Sequence, residues 1–318
     1  MKALTRRALG ALSRSPLPSL PVLPSLSALP LPPLPRPPSG AMVRASVLEL
    51  LVLAGHTLLY PTGLTQERCA APGPPGAAPH PDPAGTDASA ARAPSRLRLP
   101  VPASGPDRPP VLLLHGFIDN RSVFVLLRRS LRRHGHRRVE ALNYSPLTCD
   151  IRSAAVALAE RVEEICEHTG HSRIDVVGHS LGGLIARYYV QRLGGDSRVR
   201  TLVTLGTPHS GTTAAPWLSA HPLIRQMRPD SPVIRELSAP APECATRFVC
   251  FWSELDQVVL PPATARIEHP DLAAVNIRVS GIGHLALPVH GAVAAEIRRV
   301  LDLPPEANAG TGEAGSVA

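Results

Sequence analysis

Lysine is almost missing: of 33 basic residues, Lys2 is the only one that is not arginine. The formal charge of +8 therefore rests on arginine, in a chain also rich in Ala, Pro and Gly. That combination follows from GC-rich codon usage and says little about a polyanionic partner. Aromatic residues make up only 3% of the chain, and no stretch interleaves them with basic side chains. No nucleic-acid partner is expected on that ground. Basic surface can still draw the chain to anionic membranes or substrates, an attraction that salt weakens. The five cysteines include no C-x-x-C pair, so no metal site is expected. No cofactor motif and no internal repeat is visible, and no cofactor is expected. Cys149 and Cys166 bracket a helical pattern, while Cys244 and Cys250 lie at and inside a strand pattern. Regular elements would hold each pair too far apart for a bridge, which leaves a long-range pair such as Cys149 with Cys244 open.

Proline, by contrast, is plentiful, with 37 in the chain. Residues 1–40 alternate Leu, Pro and Ser, a composition that reads as extended and disordered. Thr5-Arg6-Arg7-Ala8-Leu9 resembles the start of a twin-arginine export signal, but proline breaks the apolar part that should follow. Residues 41–60 form a hydrophobic helix pattern, barely long enough to cross a bilayer. Its polar members Glu49 and His56 stand seven apart and so share one helical face. An export signal, a membrane anchor, an interfacial helix and a helix packed on the domain all remain open, with membrane involvement or export favoured. Residues 61–109 read as a Pro/Ala-rich linker, since they offer too little apolar surface to offset ordering entropy. The folded domain is expected at 110–303, a disordered tail at 304–318.

Within that domain, strand patterns at Val111, Val139, Ile174, Val199, Arg247 and Val275 alternate with helical ones. Such alternation means an α/β fold with a mostly parallel central sheet and helices on both faces. Asp150 is the expected N-cap, and Gly170 the stop, of one of these helices. Residues 212–245 lack a strong period and read as a small cap or lid. Apolar residues such as Trp217, Leu218, Leu223, Ile224, Val233 and Leu237 are scattered there among prolines and charges.

The stretch Val176-Val177-Gly178-His179-Ser180-Leu181-Gly182-Gly183 organises the rest. A buried strand precedes Ser180 and a helix follows it, so the serine sits on a tight turn that needs small neighbours. That turn exposes the hydroxyl and aims the helix N-terminus at any oxyanion formed beside it. A serine needs a base in contact, and the base an orienting acid. Asp256, in the loop after the strand at 247–253, is the expected acid, with Glu254 as rival. His284, at the tip of a glycine-bearing loop after the last strand, is the expected base. His115 and His179 are expected to shape the substrate site rather than act as base.

The order Ser180, Asp256, His284 is that of an α/β-hydrolase. From Val111 to about Leu301 the chain resembles bacterial lipases and esterases of that fold. The resemblance is carried by His115-Gly116-Phe117, the residues from Gly178 to Gly183, Gly206-Thr207-Pro208-His209, Asp256 and Gly283-His284. It implies that Phe117 and Leu181 offer backbone N–H groups to the oxyanion, and that the loop holding Pro208 and His209 lines the acyl pocket. It also implies a secreted or membrane-associated bacterial enzyme that hydrolyses lipid or other carboxylic esters, working as a monomer with a membrane surface as partner. An acyltransferase with the same triad, or a non-catalytic membrane-associated binding protein on the same scaffold, would carry many of the same features.

Overall fold

The structure is a computed structural model that describes residues 39–63, 108–117, 119–144, 150–214, 221–304 and 314–317. Its sheet contains β1 Val111–Leu114, β2 Val139–Leu142, β3 Ile174–His179, β4 Val199–Leu205, β5 Arg247–Trp252, β6 Ala274–Val279 and β7 Ala314–Val317. The order is β2-β1-β3-β4-β5-β6-β7, and every neighbouring pair is parallel. Strands β1, β3, β4 and β5 read as near-continuous apolar runs because both of their faces are covered.

Helices α2 Val125–Arg133 and α7 Gly291–Asp302 cover one face, packing Leu127, Leu131, Val293 and Ile297 on Leu113, Val177 and Val203. Helices α3 Ile151–Thr169 and α4 Leu181–Arg192 cover the other, packing Leu158, Val162 and Leu184 on Leu112, Leu114 and Val176. Alternate β1 residues thus serve opposite cores, as the two-residue period of a strand requires. Each such side chain contributes about 1.5–3 kcal/mol relative to its exposed state. Asp150 caps α3 by accepting from Arg152 N and Ser153 N, and Gly170 ends it at φ 72°. β1 has β2 on one side and β3 on the other, so the connections leave in opposite directions from this point. Loops leaving the C-terminal ends of strands there enclose a crevice, the usual place for a ligand in an open α/β sheet.

Three segments differ from the sequence-based expectation. Ala314–Val317 pairs with β6 instead of trailing off. An edge strand offers unpaired backbone groups, and Ala-Gly-Ser-Val has too little strand propensity to announce that it fills them.

The apolar segment near 41–60 is helix α1, Gly40–Leu59, started by Ser39, whose hydroxyl accepts from Met42 N. With the turn after it, α1 is long and apolar enough by length and composition to cross a membrane. Yet it shares one compact unit with the sheet. Ala45 and His56 are buried, and Leu48 and Val52 pack on the core beneath α2 and α7. Its amphipathicity is inverted, with Glu49 and His56 turned to protein and Val43, Val47, Leu50, Leu51 and Leu58 exposed.

The expected cap or lid holds two short helices, α5 Pro222–Gln226 and α6 Pro232–Ser238, packed on the domain. Leu223, Val233 and Leu237 are buried in the same core as α3 and α4. Arg187 of α4 donates to Leu237 O at 2.9 Å, and Tyr188 OH donates to Glu236 at 2.6 Å. Proline at the first turn of each helix made the period look broken. Trp217 and Leu218 lie outside the described residues. So does Cys149, while Cys244 is a free thiol that donates to Asp196.

Candidate active site

Ser180 joins β3 to α4 at φ 51° and ψ −119°, a strained backbone for a residue with a side chain. The turn is held from several sides. Ser180 N donates to Leu205 O at 2.9 Å, and Thr207 Oγ1 donates to Ser180 O at 3.0 Å. A side chain on Gly178 would stand 2.6 Å from Gly183 Cα, and one on Gly182 would collide with the carbonyl of Leu114. The Ser180 hydroxyl does not cap α4. Leu181 is the first helical residue, so its N–H belongs to the set that a helix leaves unpaired.

The other two expected residues meet each other. His284 Nδ1 donates to Asp256 Oδ2 at 2.7 Å, with both side chains buried. Asp256 Oδ1 accepts from Val258 N and Val259 N, each at 2.8 Å. Burial opposes ionisation of Asp256, but His284 and these two N–H groups outweigh it and hold the carboxyl below its ordinary range. Burial alone would lower the pKa of His284. Asp256 first, then Glu49 and Asp119, overcome that and raise it. Because Nδ1 carries the proton shared with Asp256, Nε2 keeps the lone pair that a base needs. Glu254, the rival acid, instead pairs with Arg278 at 2.9 Å on the surface. Ser180 and His284 open onto one cavity of about 670 Å³.

The remaining expected residues divide. Phe117, His179 and Pro208 line the cavity. His179 Nε2 lies 3.3 Å from His284 O, and the two rings are 4.8 Å apart. His115 and His209 do not line the cavity. His115 is buried against Tyr144, ring on ring at 4.3 Å, with Nδ1 2.9 Å from Gly116 O. His209 is buried with Nε2 2.9 Å from Thr204 Oγ1, and Arg187 grips its carbonyl. The two make these contacts from the segments that follow β1 and β4.

Sequence reasoning missed the contribution of α1. Leu53, His56, Thr57 and Tyr60 form part of the cavity wall. Glu49 accepts from Leu285 N at 2.8 Å and Ala286 N at 3.0 Å, directly after His284. Its carboxylate fills the space beside Gly283, where a Cβ would stand 2.7 Å from Glu49 Cδ. The seven-residue spacing of Glu49 and His56 was the available signal, but the groups they meet, Leu285 and Ala286 for the one and Asp119 for the other, are distant in sequence. Asp119 was missed outright. Among the described residues, no group of three or more His, Cys, Asp or Glu is arranged to hold a metal ion.

Comparison with known proteins agrees with this architecture. Residues 109–230 match the family model described as alpha/beta hydrolase fold. A lipase of Bacillus licheniformis, BlEst2, in its mature form superposes with a TM-score of 0.51 at 15% identity, over 64% of this chain and 96% of that one. Its propeptide form gives 0.55 at 17% identity, over 68% of this chain and 54% of that one. A curated fission-yeast protein, palmitoyl-protein thioesterase-dolichyl pyrophosphate phosphatase fusion 1, is 27% identical over 144 residues. That match covers 41% of this chain and 22% of the relative's length. The chain has the α/β-hydrolase fold. Its likenesses lie among lipases and esterases of that fold.

Proposed function

We propose that the protein is a serine carboxylic-ester hydrolase that cleaves lipid esters through an acyl-enzyme on Ser180. The observation that carries this is the buried Asp256–His284 pair, whose histidine opens onto the same cavity as a serine held on a strained strand-to-helix turn. Ser180 Oγ attacks the ester carbonyl while His284 Nε2 takes its proton. The carbonyl oxygen becomes an oxyanion, held by the N–H groups of Phe117 and Leu181. Collapse of that intermediate expels the alcohol, which receives the proton from His284. Water, deprotonated by the same histidine, then releases the acid and restores Ser180. Asp256 keeps the imidazole oriented and stabilises its charged form.

The cavity lining favours an acyl chain. Ile224, Met227, Val258 and Val259 are apolar, and their cavity is within the range of small-molecule sites. The exposed stripe of α1 supports action at a lipid surface, as does the arginine-borne positive charge. Labelling with a fluorophosphonate tests the nucleophile: Ser180 should be modified and Ser180→Ala should not. Absence of labelling would remove both the hydrolase and the acyltransferase readings. A chain-length series of p-nitrophenyl esters, with an acyl thioester and an added alcohol acceptor alongside, defines the acyl range. It also separates release to water from transfer to an alcohol.

A further inference from the structure

The loop that carries His284 is built around glycine and held by polar contacts on either side of the histidine. Gly281 stands at φ 78° and Gly283 lacks a side chain, so the chain leading into the histidine has little stiffness of its own. Ser253 Oγ donates to Ile282 O at 2.6 Å, and Asp256 holds Nδ1 of the His284 ring. Past the histidine the partner is α1. Leu285 N donates to Glu49 Oε2 and Ala286 N to Glu49 Oε1, one N–H to each oxygen of a single carboxylate. Gly283 is fitted to the same side chain. The three atoms nearest to a Cβ placed there all belong to Glu49, with Cδ at 2.7 Å, Cγ at 2.8 Å and Oε1 at 2.9 Å. Glu49 thus touches the chain on both sides of His284, although it lies 236 positions before Leu285.

This grip bears on the chemistry because a base must meet the proton it takes at hydrogen-bond distance. Asp256 fixes one nitrogen of the imidazole. A ring held there alone can still pivot, and the place of Nε2 then follows the backbone at 284. Two N–H groups clamped by a carboxylate fix that backbone, and hydrogen bonds to a charged acceptor are the stronger kind. An amide in place of the carboxylate has one acceptor oxygen for two donors, and a methyl group has none. The charge of Glu49 adds to the effect. Burial disfavours the imidazolium that forms as Ser180 loses its proton, while Asp256 first, then Glu49 and Asp119, favour it.

We propose that Glu49 is a positioning residue for catalysis, clamping the backbone on both sides of His284 from α1 and so setting the reach of Nε2 towards Ser180. This role rests on the ester-hydrolase reading and extends its machinery to α1, which precedes the whole sheet in the chain. Gly283 is the other half of the device, since only a residue without a Cβ lets the carboxylate come so close.

The test measures kcat and KM for p-nitrophenyl butyrate, and the rate at which fluorophosphonate labels Ser180, in the full-length chain. Wild type is compared with Glu49→Gln, Glu49→Ala, Gly283→Ala and the Glu49→Ala, Gly283→Ala double variant. End-point labelling counts intact sites, so a partly unfolded preparation does not imitate slow catalysis. Acylation and deacylation both draw on His284, so kcat should fall while KM stays within about twofold. The fall should be several-fold for Glu49→Gln and about ten- to a hundredfold for Glu49→Ala, with labelling slowed in step. Gly283→Ala alone should cost on the order of tenfold by pushing the carboxylate away. In the double variant it should add less than about twofold, because the side chain it collides with is gone. Costs that multiply in the double variant would make the two residues independent and overturn the clamp. So would a KM that rises while kcat and labelling hold, which is the mark of a cavity wall. Failure of the underlying reading looks different, with no turnover and Ser180 unlabelled in the wild type. A labelled wild type whose kcat is unmoved by Glu49→Ala would remove the clamp alone.

Discussion

The turn from β3 through Ser180 to α4 and the wall contributed by α1 enclose one cavity, yet they are held in place by different means. The first is fixed by contacts between near neighbours, with Gly178, Gly182 and Gly183 allowing strand, turn and helix to crowd together. The second is held by Leu48 and Val52 packing on the core and by polar contacts between parts of the chain distant in sequence. Glu49 reaches Leu285 and Ala286, Gln257 reaches Ser46 at 2.9 Å, and Asn120 reaches Tyr60 O at 2.8 Å. A soluble surface helix turns its apolar stripe inward. Here Glu49 and His56 face in beside Ala45, Leu48 and Val52, while Val43, Val47, Leu50, Leu51 and Leu58 face out. The nucleophile is thus built into the C-terminal edge of the sheet, while part of the surface that bounds its cavity belongs to an element attached by a narrow apolar seam and a few hydrogen bonds.

The comparison is sharpest where the chemistry is removed. Ser180→Ala or His284→Ala should lower kcat by roughly a millionfold on a soluble p-nitrophenyl ester, leaving only what the oxyanion hole and binding supply. Asp256→Asn should cost on the order of ten-thousandfold, because it frees His284 to adopt the wrong tautomer. Glu254→Gln should leave the rate within about twofold, since Glu254 meets only Arg278 at the surface. A silent Asp256→Asn beside a crippled Glu254→Gln would reverse that assignment.

Removing the α1 wall comes next. A chain starting at Arg108 keeps Ser180, Asp256 and His284 but loses Glu49 and part of the cavity lining. Misplacing a reacting group by about 1 Å can cost about a hundredfold, and a loss of that order in kcat/KM is expected. Full activity in the shortened chain would show that α1 is a passenger. A lost thermal transition would show that it is needed for folding.

The two regions also differed in how far they could be read beforehand. A strand, a serine between small residues and a helix constrain one another within a dozen positions, so local pattern located Ser180. Asp256 and Glu254 are two residues apart and chemically alike, and pattern alone left them competing. Tertiary contact separates them, placing one on His284 and the other on Arg278. The helical character of residues 41–60 was plain, but its partner was not. A carboxylate in an apolar helix fits a membrane surface and a buried hydrogen bond equally well. His115 and His209 stand beside the motifs, and in the fold their rings meet Tyr144 and Thr204, contacts that no local pattern announces. β7 had no pattern to read, because a strand that closes an edge owes its pairing to its neighbour.

A finer probe of the link between the two regions is the pH profile of Glu49→Gln. His284 faces Asp256, Glu49 and Asp119 as anions and the ring of His179. As a base it must be uncharged, so the rate falls as pH drops through its pKa. The anions raise that pKa, and removing one lowers it. The acid limb of kcat/KM should therefore move to lower pH in Glu49→Gln. The glutamine retains one carbonyl acceptor for the N–H groups of Leu285 and Ala286, so the plateau should fall only several-fold, about the worth of one hydrogen bond. Glu49→Ala should fall further. An unmoved acid limb, with an unchanged plateau, would reduce Glu49 to a surface charge.

The smallest effect on a soluble ester is expected at the outer face of α1, and there the contrast becomes a question of partner. Leu50 and Leu51 are each 66% exposed and Leu58 is 80% exposed, on a helix whose inward face is already satisfied. These side chains lie outside the cavity, so replacing all three by Ser should leave hydrolysis of p-nitrophenyl acetate within about twofold. Vesicle binding should respond strongly. Moving a leucine from water into an apolar phase contributes about 1.5–3 kcal/mol, so each partly inserted leucine should account for roughly a tenfold change in partition. Vesicles with anionic lipid should bind the wild type better at low salt than at high, because arginine supplies the net charge of +8. Sedimentation of the free protein separates the competing explanation. If the leucines instead bury against a second copy, the wild type will be a dimer without lipid and the triple variant a monomer. A monomeric wild type that binds vesicles through these leucines would place the mouth of the cavity, bounded by the same helix, at the lipid surface.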